Sequence, residues 1–490
     1  MSPPAILHVT SLFGGGVDRH LRDVVAGVPR PHLVWHADAA GEAIEEPGTK
    51  RFFPLAAGAF AGSRSRMAAY LASHRVGLVH LHALGDAPRE RAEWAARELG
   101  VPLVATLHDV LFLDPEAFER ADPLAGDEGW LAKTAPVLRS AARVVAPSAW
   151  LANLARERIP GLDVQVIANG APVRVREPIA PREAFSSTKP ARVVALLGAI
   201  GPHKGADLGD DLARLLAPHG IALVVVGYLD RQLYPGWRLP GSLFVHGAFE
   251  EGHAPGLLRG YGASLVLFPN AVPDSFSYAL SDAWAAGVPV LAAPVGAIAE
   301  RIREHGGGWL LRERFDAQSI AREVVSLCGG ERDAERARVQ SRLDAPGDAC
   351  VPSVESMIRS LDALYARFGI DPAATGEPDP RALEALVAKN LDGNLFRTEL
   401  VRLCDEMAQT AAALETTRSR ADAFETEARS WIAKLEADVA AVQADLRAAN
   451  EARDGLAKEA DALRLNKEAL GRLPSPIRRL LLKLAFDARR

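Results

Sequence analysis

The sequence predicts an α/β protein: two Rossmann-like parallel-sheet domains, followed by a long α-helical coiled coil. Three observations predict it. Short apolar runs alternate with amphipathic stretches over residues 1–185, the pattern of βαβ units. The alternation restarts after a polar stretch, 175–190, that holds Pro178, Pro181 and Pro190. No proline then occurs from Arg381 to Leu473, and apolar residues recur there at spacings of four and three.

In chain order, the first domain (1–185) has strand-like runs at Ile6–Leu12, His32–His36, Val76–His82, Pro102–Leu107, Arg143–Pro147 and Val164–Ala168. Helical patterns such as Val17–Val28, Ala87–Leu99 and Trp150–Arg158 lie between them. In the second domain (186–370) the runs are Val193–Leu197, Ile221–Val226, Leu243–Val245, Leu265–Phe268, Val288–Ala292 and Gly308–Leu311, with a further amphipathic helix at 351–368. Residues 371–380 are a Pro-rich linker. Residues 381–473 are the coiled coil, whose ten heptads from Leu400 to Leu470 predict a homo-oligomer. A single helix lying along the globular body is the alternative. The tail, 474–490, carries Arg478, Arg479, Lys483, Arg489 and Arg490 against one acid, Asp487. With Leu480, Leu481, Leu484 and Phe486 beside these cations, it reads as a basic amphipathic helix, suited either to an anionic membrane surface or to ending the coil.

Composition excludes several classes. Lys plus Arg is 57 and Asp plus Glu 62, a net charge of −5, which argues against a nucleic-acid binder. Apolar residues are 48%, too many for a disordered chain. Cys328, Cys350 and Cys404 are too few and too far apart for a disulfide framework or a zinc site, so a reducing compartment is expected. The N-terminal apolar run has no basic stretch before it and reads as a first strand, and no run reaches the ~18 residues of a membrane span. The expectation is a cytoplasmic protein, at most peripheral on the membrane.

Gly14, Gly15 and Gly16 follow the first strand and open a helix. Such a turn lets backbone N–H groups and the helix N-terminus meet a phosphate or sugar, or is simply a tight βα turn. The spacing is not that of a dinucleotide site. His108 and Asp109 stand at a strand's carboxyl end, where open α/β sheets place ligands; a packed His and a capping Asp are the other reading. His80 and His82 are spaced for metal chelation, but no further ligands lie near them in sequence, so no metal site is assigned. Gly198 ends a strand in this reading, and Lys204 with Gly205 opens a helix: one cation beside free N–H donors, an anion site. It is not a Walker loop, because no Ser or Thr follows the lysine. Asp274, Ser275, Phe276 and Ser277 follow another strand. Asp274 and Asp282, eight apart, share a helical face if both are helical. They are candidates to hold a sugar and a ribose, or else an N-cap and a solvated charge.

Taken together, these pieces resemble the family 4 retaining glycosyltransferases of the GT-B fold. The resemblance rests on Gly14–Gly16, Thr106–Asp109, Ser148, Asn169-Gly170, Gly198 with Lys204-Gly205, and Asp274 with Asp282-Ala283, and covers roughly residues 4–368. It implies two domains facing a cleft. A nucleotide-diphosphate sugar would be the donor substrate, with no other cofactor and no metal, and a glycan or lipid-linked molecule the acceptor. Lys204, Asp274 and His108 would be the catalytic groups. Gly14, Gly15, Gly16, Gly198, Gly205, Ser275, Phe276, Ser277 and Asp282 would bind the donor alongside Lys204. Two departures stand out: Ala199 where the family usually has arginine, and aspartate at both motif glutamate positions. The expected function is a retaining transferase in surface polysaccharide synthesis. The departures favour, as an alternative, a degenerate nucleotide- or glycan-binding scaffold assembled through its coil. A nucleotide-sugar isomerase is a third reading.

Overall fold

The computed structural model describes residues 4–368 apart from 12–14, 38–40, 50, 56–58, 63, 121, 172–176, 183–191, 230–234, 251, 313–315 and 345–351, together with 472, 474, 475 and 477. The heptad region 400–470 lies outside the described residues, as does nearly all of the basic tail.

The first sheet contains β1 (Ala5–Thr10), β2 (His32–Ala37), β3 (Glu42–Glu46), β4 (Arg51–Leu55), β5 (Val76–Leu81), β6 (Leu103–Thr106), β7 (Arg143–Ala146) and β8 (Val164–Val166). Its spatial order is β4-β3-β2-β1-β5-β6-β7-β8. β1, β2 and β5–β8 run parallel. β3 and β4 are an antiparallel addition at one edge, which the sequence reading missed. The second sheet contains β9 (Arg192–Ile200), β10 (Ile221–Leu229), β11 (Gly236–Leu239), β12 (Leu243–Val245), β13 (Ala263–Phe268), β14 (Val290–Ala292) and β15 (Gly308–Leu310), in the order β11-β12-β10-β9-β13-β14-β15. Only the edge strand β11, also missed, is antiparallel. Central strands covered on both faces read as continuous apolar runs, and β1 and β5 are buried along their whole length.

Alternation along the first sheet's strands separates two faces. Leu7, Val9, Val79, Leu81 and Ala105 point into one core. Ile6, Leu78 and Val104 point into the other, where Val24, Met357, Leu361, Leu364 and Tyr365 cover them. The last four belong to the helix Val354–Ala366, which follows the second domain in sequence but packs on the first. A Cβ at Gly27 would fall 1.9 Å from Ile358 Cδ1, and one at Gly170 would fall 2.3 Å from Val354 Cα. Two glycines therefore let this helix dock closely, and Arg30 anchors it through Asp362 at 2.9 Å. Among the described residues, no helix is long and apolar enough to cross a membrane.

Candidate active site

Each sheet reverses its winding direction near its centre, between β1 and β5 and between β9 and β13. Ligands of open α/β sheets sit outside the strand carboxyl ends at such points. The candidate residues leave from these ends.

β9 runs two residues past Gly198, to Ile200, so Gly198 lies within the strand rather than at its end. It faces Gly227 on β10, where a Cβ would lie 2.1 Å from the Gly198 carbonyl oxygen. A single 3₁₀ turn, Pro202–Lys204, follows. Gly205 closes it at φ +83°, and a Cβ there would meet Pro269 Cγ at 2.8 Å. The turn is thus pressed against the loop after β13, whose Ala271 and Val272 N–H groups donate to the His203 carbonyl at 3.0 and 3.3 Å. Lys204 is half-buried, and among the described residues no carboxylate pairs with it. Burial pushes the His203 imidazole below its usual range; Lys204 acts in the same sense, and Asp274 opposes them. The charges of Lys204 and Asp274 thus both act on one imidazole.

Asp274 is half-buried and lies in the loop, because the helix starts only at Tyr278. The eight-residue spacing to Asp282 does not put both on one helical face. Asp274 is fixed through its backbone: its carbonyl accepts from Ala297 N–H at 2.9 Å, and a Cβ at Gly296 would clash with that carbonyl at 2.7 Å. The Ser275 hydroxyl donates to the carbonyl of His108 in the other domain. Ser277 sits at φ +68°, a left-handed conformation that costs a non-glycine residue about 1–3 kcal/mol. Its hydroxyl accepts from Leu280 N–H at 3.3 Å and caps the helix Tyr278–Ala285. Arg301, which the sequence reading missed, holds this conformation. Only 4% exposed, it donates to the carbonyls of Phe276 and Ser277 at 3.0 and 3.1 Å and to Ser281 Oγ at 2.9 Å. Its guanidinium also lies 4.2 Å from the Phe276 ring centre.

Asp282 is buried and paired across the cleft. Arg19, on the helix Gly15–Gly27, reaches its two carboxylate oxygens at 3.1 and 3.4 Å and stacks over Tyr278 at 4.4 Å. Nothing in the sequence singled out Arg19. Gly15 opens its helix at φ +71°, and a Cβ at Gly16 would meet Tyr278 at 3.3 Å. Gly14 lies outside the described residues. The Gly-rich turn of the first domain is thus brought against the candidate ribose-binding helix of the second.

Beneath this turn the first sheet changes character. The face that carries Ile6, Leu78 and Val104 continues along the same strands and beyond their carboxyl ends as His8, then His80 and His82, then Thr106 and His108. His20 covers them from the first helix. The rings interlock: His8 Nδ1 to His82 Nε2 is 3.0 Å, and His82 Nδ1 to His108 Nε2 is 3.1 Å. His80 Nε2 meets Thr106 Oγ1, and its Nδ1 meets Tyr365 Oη, both at 2.7 Å. Burial, helped by neighbouring imidazoles, pushes His8, His80, His82 and His108 well below the usual histidine range. Burial pushes His20 to about 4, partly opposed by the adjacent Asn169 side chain. The cluster is therefore uncharged at neutral pH. His20 is 2% exposed, yet neither ring nitrogen makes a hydrogen bond of good geometry. Leaving such a group unsatisfied costs about 1–3 kcal/mol. Asp109 caps the next turn, accepting from Leu111 N–H at 2.8 Å, and burial raises its pKa to about 6.

The family model described as Glycosyltransferase Family 4 matches residues 14–174, and that described as Glycosyl transferases group 1 matches 191–329. The lipopolysaccharide 1,2-N-acetylglucosaminetransferase of Salmonella typhimurium is 29% identical over 218 residues, 40% of this chain and 56% of that protein. The GDP-mannose-dependent alpha-mannosyltransferase of Mycobacterium tuberculosis is 29% identical over 228 residues, 44% of this chain and 55% of that protein. The chain thus spans about half the length of these relatives. Among solved structures, HepE of Anabaena in complex with UDP-glucose superposes with a TM-score of 0.56 at 18% identity, over 74% of this chain and 100% of that one. Sucrose-phosphate synthase from Thermosynechococcus elongatus gives 0.55 at 16%, over 74% and 98%. With both halves of the fold matched in order, the chain belongs to the family 4 glycosyltransferases of the GT-B fold.

Proposed function

We propose that the protein transfers a sugar from a nucleotide-diphosphate sugar to a glycan or lipid-linked acceptor, with retention of anomeric configuration, in surface polysaccharide synthesis. The observation that carries this is that a half-buried lysine and a half-buried aspartate, neither with an ionic partner among the described residues, stand beyond the carboxyl ends of β9 and β13. Lys204 would neutralise the departing diphosphate, with the N–H groups around Ser275 and Ser277 beside it; preorganised charge of this kind is commonly the largest catalytic contribution. Asp274 would bond the sugar. His108 has its Nε2 turned towards His82, so Nδ1 is the ring nitrogen left for a substrate hydroxyl. No metal is required for the donor, since Lys204 supplies the cation. The names of the relatives support the class: N-acetylglucosaminyl and mannosyl transfer in two of them, and a UDP-glucose complex in HepE.

A panel of nucleotide sugars tests this. The true donor should raise thermal stability, by about 2.7 kcal/mol at 100 times its dissociation constant, and should be hydrolysed slowly to the nucleoside diphosphate. The Arg19–Asp282 pair gives substance to a second reading, a scaffold that binds without turnover, since it engages the carboxylate meant for the ribose. Binding with no hydrolysis and no transfer would favour that reading. Asp282→Ala separates the roles of this residue: if it holds the ribose, donor KM should rise roughly tenfold with kcat little changed. An unchanged KM would leave Asp282 with a structural role, as a partner of Arg19.

We also propose self-association through 400–470 and peripheral contact with anionic membranes through 475–490, both resting on sequence pattern. The full chain should sediment as an oligomer and pellet with anionic vesicles, less at high salt. A monomeric full chain would overturn the first; an oligomer indifferent to vesicles would overturn the second.

A further inference from the structure

The imidazole cluster is larger than donor binding needs. His20, His82 and His108 come from three elements: the helix Gly15–Gly27, the end of β5 and the end of β6. One ring nitrogen of each lies within 4.8 Å of the other two. His82 Nδ1 and His108 Nε2 are 3.1 Å apart, close to the roughly 3.3 Å separating two ligands of a tetrahedral ion with metal–nitrogen bonds of about 2.0 Å. His20, 2% exposed, with the Asn169 side chain beside it but no hydrogen bond of good geometry at either ring nitrogen, is the buried polar side chain that this geometry would satisfy.

The surrounding hydrogen bonds prepare the ligand atoms. The Val28 carbonyl can only accept, so His32 Nε2, 3.1 Å away, carries a proton and His32 Nδ1 accepts. His8 Nε2 must then donate to His32 at 3.0 Å, and His8 Nδ1 accepts from His82 Nε2 at 3.0 Å. This leaves His82 Nδ1 as a lone pair aimed towards His108. A metal-binding histidine ordinarily donates its second N–H to such an acceptor, which fixes its tautomer and orientation. The overlapping trio of His8, His80 and His82 is less suited. His80 has both nitrogens bonded, to Thr106 and Tyr365, and His8 has both bonded to other histidines.

We propose that His20, His82 and His108 form a three-imidazole site for a zinc-class dication, which ties the helix after the Gly-rich turn to the ends of β5 and β6 beneath the cleft. Three nitrogen ligands with no carboxylate select a borderline transition metal over magnesium or calcium. His108, the partly accessible member, gives the ion its route in.

The full chain, made without a histidine tag and stripped with chelator, would be titrated with Zn²⁺ and with Co²⁺. One ion should bind per chain, Co²⁺ should show the visible absorption of a tetrahedral nitrogen site, and Zn²⁺ should raise the melting temperature. His20→Gln should weaken Zn²⁺ binding by about 100-fold or more, beyond the 10–100-fold of an outer-shell loss, while His253→Gln, at an exposed histidine away from the cluster, should bind as the parent does. Substoichiometric binding, a Co²⁺ spectrum without the tetrahedral band, or unchanged affinity in His20→Gln would each overturn the site. If His20→Gln fails to fold, stoichiometry and the Co²⁺ spectrum of the parent chain decide. None of these readouts needs a donor, so the site stands or falls independently of the transferase reading.

Discussion

Lys204→Ala is expected to lower turnover by roughly 10²–10³-fold, the loss typical of removing one preorganised donor to a developing negative charge. The residue sits in a one-turn 3₁₀ segment pinned by Gly205 against Pro269, so its position is set by backbone rather than by a side-chain partner. No described carboxylate pairs with it, so its charge is available to a ligand, and its removal leaves no buried acid unmatched. Stability should therefore change little, as for most substitutions outside a core or a network. A kinetic comparison of parent and variant with the identified donor checks both halves. Near-parental turnover would move the anion site elsewhere, and a large fall in melting temperature would assign Lys204 a structural role.

What the sequence made legible follows from the range of the interactions involved. The parallel sheets were readable because strands buried on both faces are apolar runs, such as Val193–Leu197 and Ile221–Val226, that need no partner to be recognised. The β3–β4 addition was not. Its first strand, Glu42–Glu46, carries three acids and two apolar residues, a pattern shared with loops. The Lys204-Gly205 turn and the loop from Asp274 to Ser277 were found because each is local. The imidazole cluster was half visible: His80, His82 and His108 stood out near strand ends, whereas His8 and His20 did not. Its full extent is not local, because the fold joins His8 to His82 across 74 residues. Arg19 escaped for the same reason, since its partner Asp282 is 263 residues away. The aspartate spacing misled because the helix starts at Tyr278, behind a cap whose φ of +68° no residue pattern announced.

Arg301→Ala should be the most destabilising single change near the site, by about 2–4 kcal/mol in denaturant unfolding, the range for breaking a buried hydrogen-bond network. Three acceptors lose the guanidinium together: the carbonyls of Phe276 and Ser277, the second of which keeps only the 3.4 Å bond from Ser281 N–H, and the hydroxyl of Ser281. The guanidinium also lies against the Phe276 and Trp284 rings, 4.2 and 5.1 Å from their centres, so its removal opens a cavity as well. The effect should reach the chemistry. Ser277 is held at its left-handed φ by these contacts, and without them the loop can relax and carry Ser275 and Asp274 out of register. Turnover should fall with stability, and Arg301→Lys should recover only part of either, because an ammonium cannot reproduce the planar fork. The decisive measurement is activity well below the variant's melting temperature. Parental turnover there would show that Arg301 supports the fold alone, whereas a deficit that persists in fully folded protein would place it among the residues that position the site.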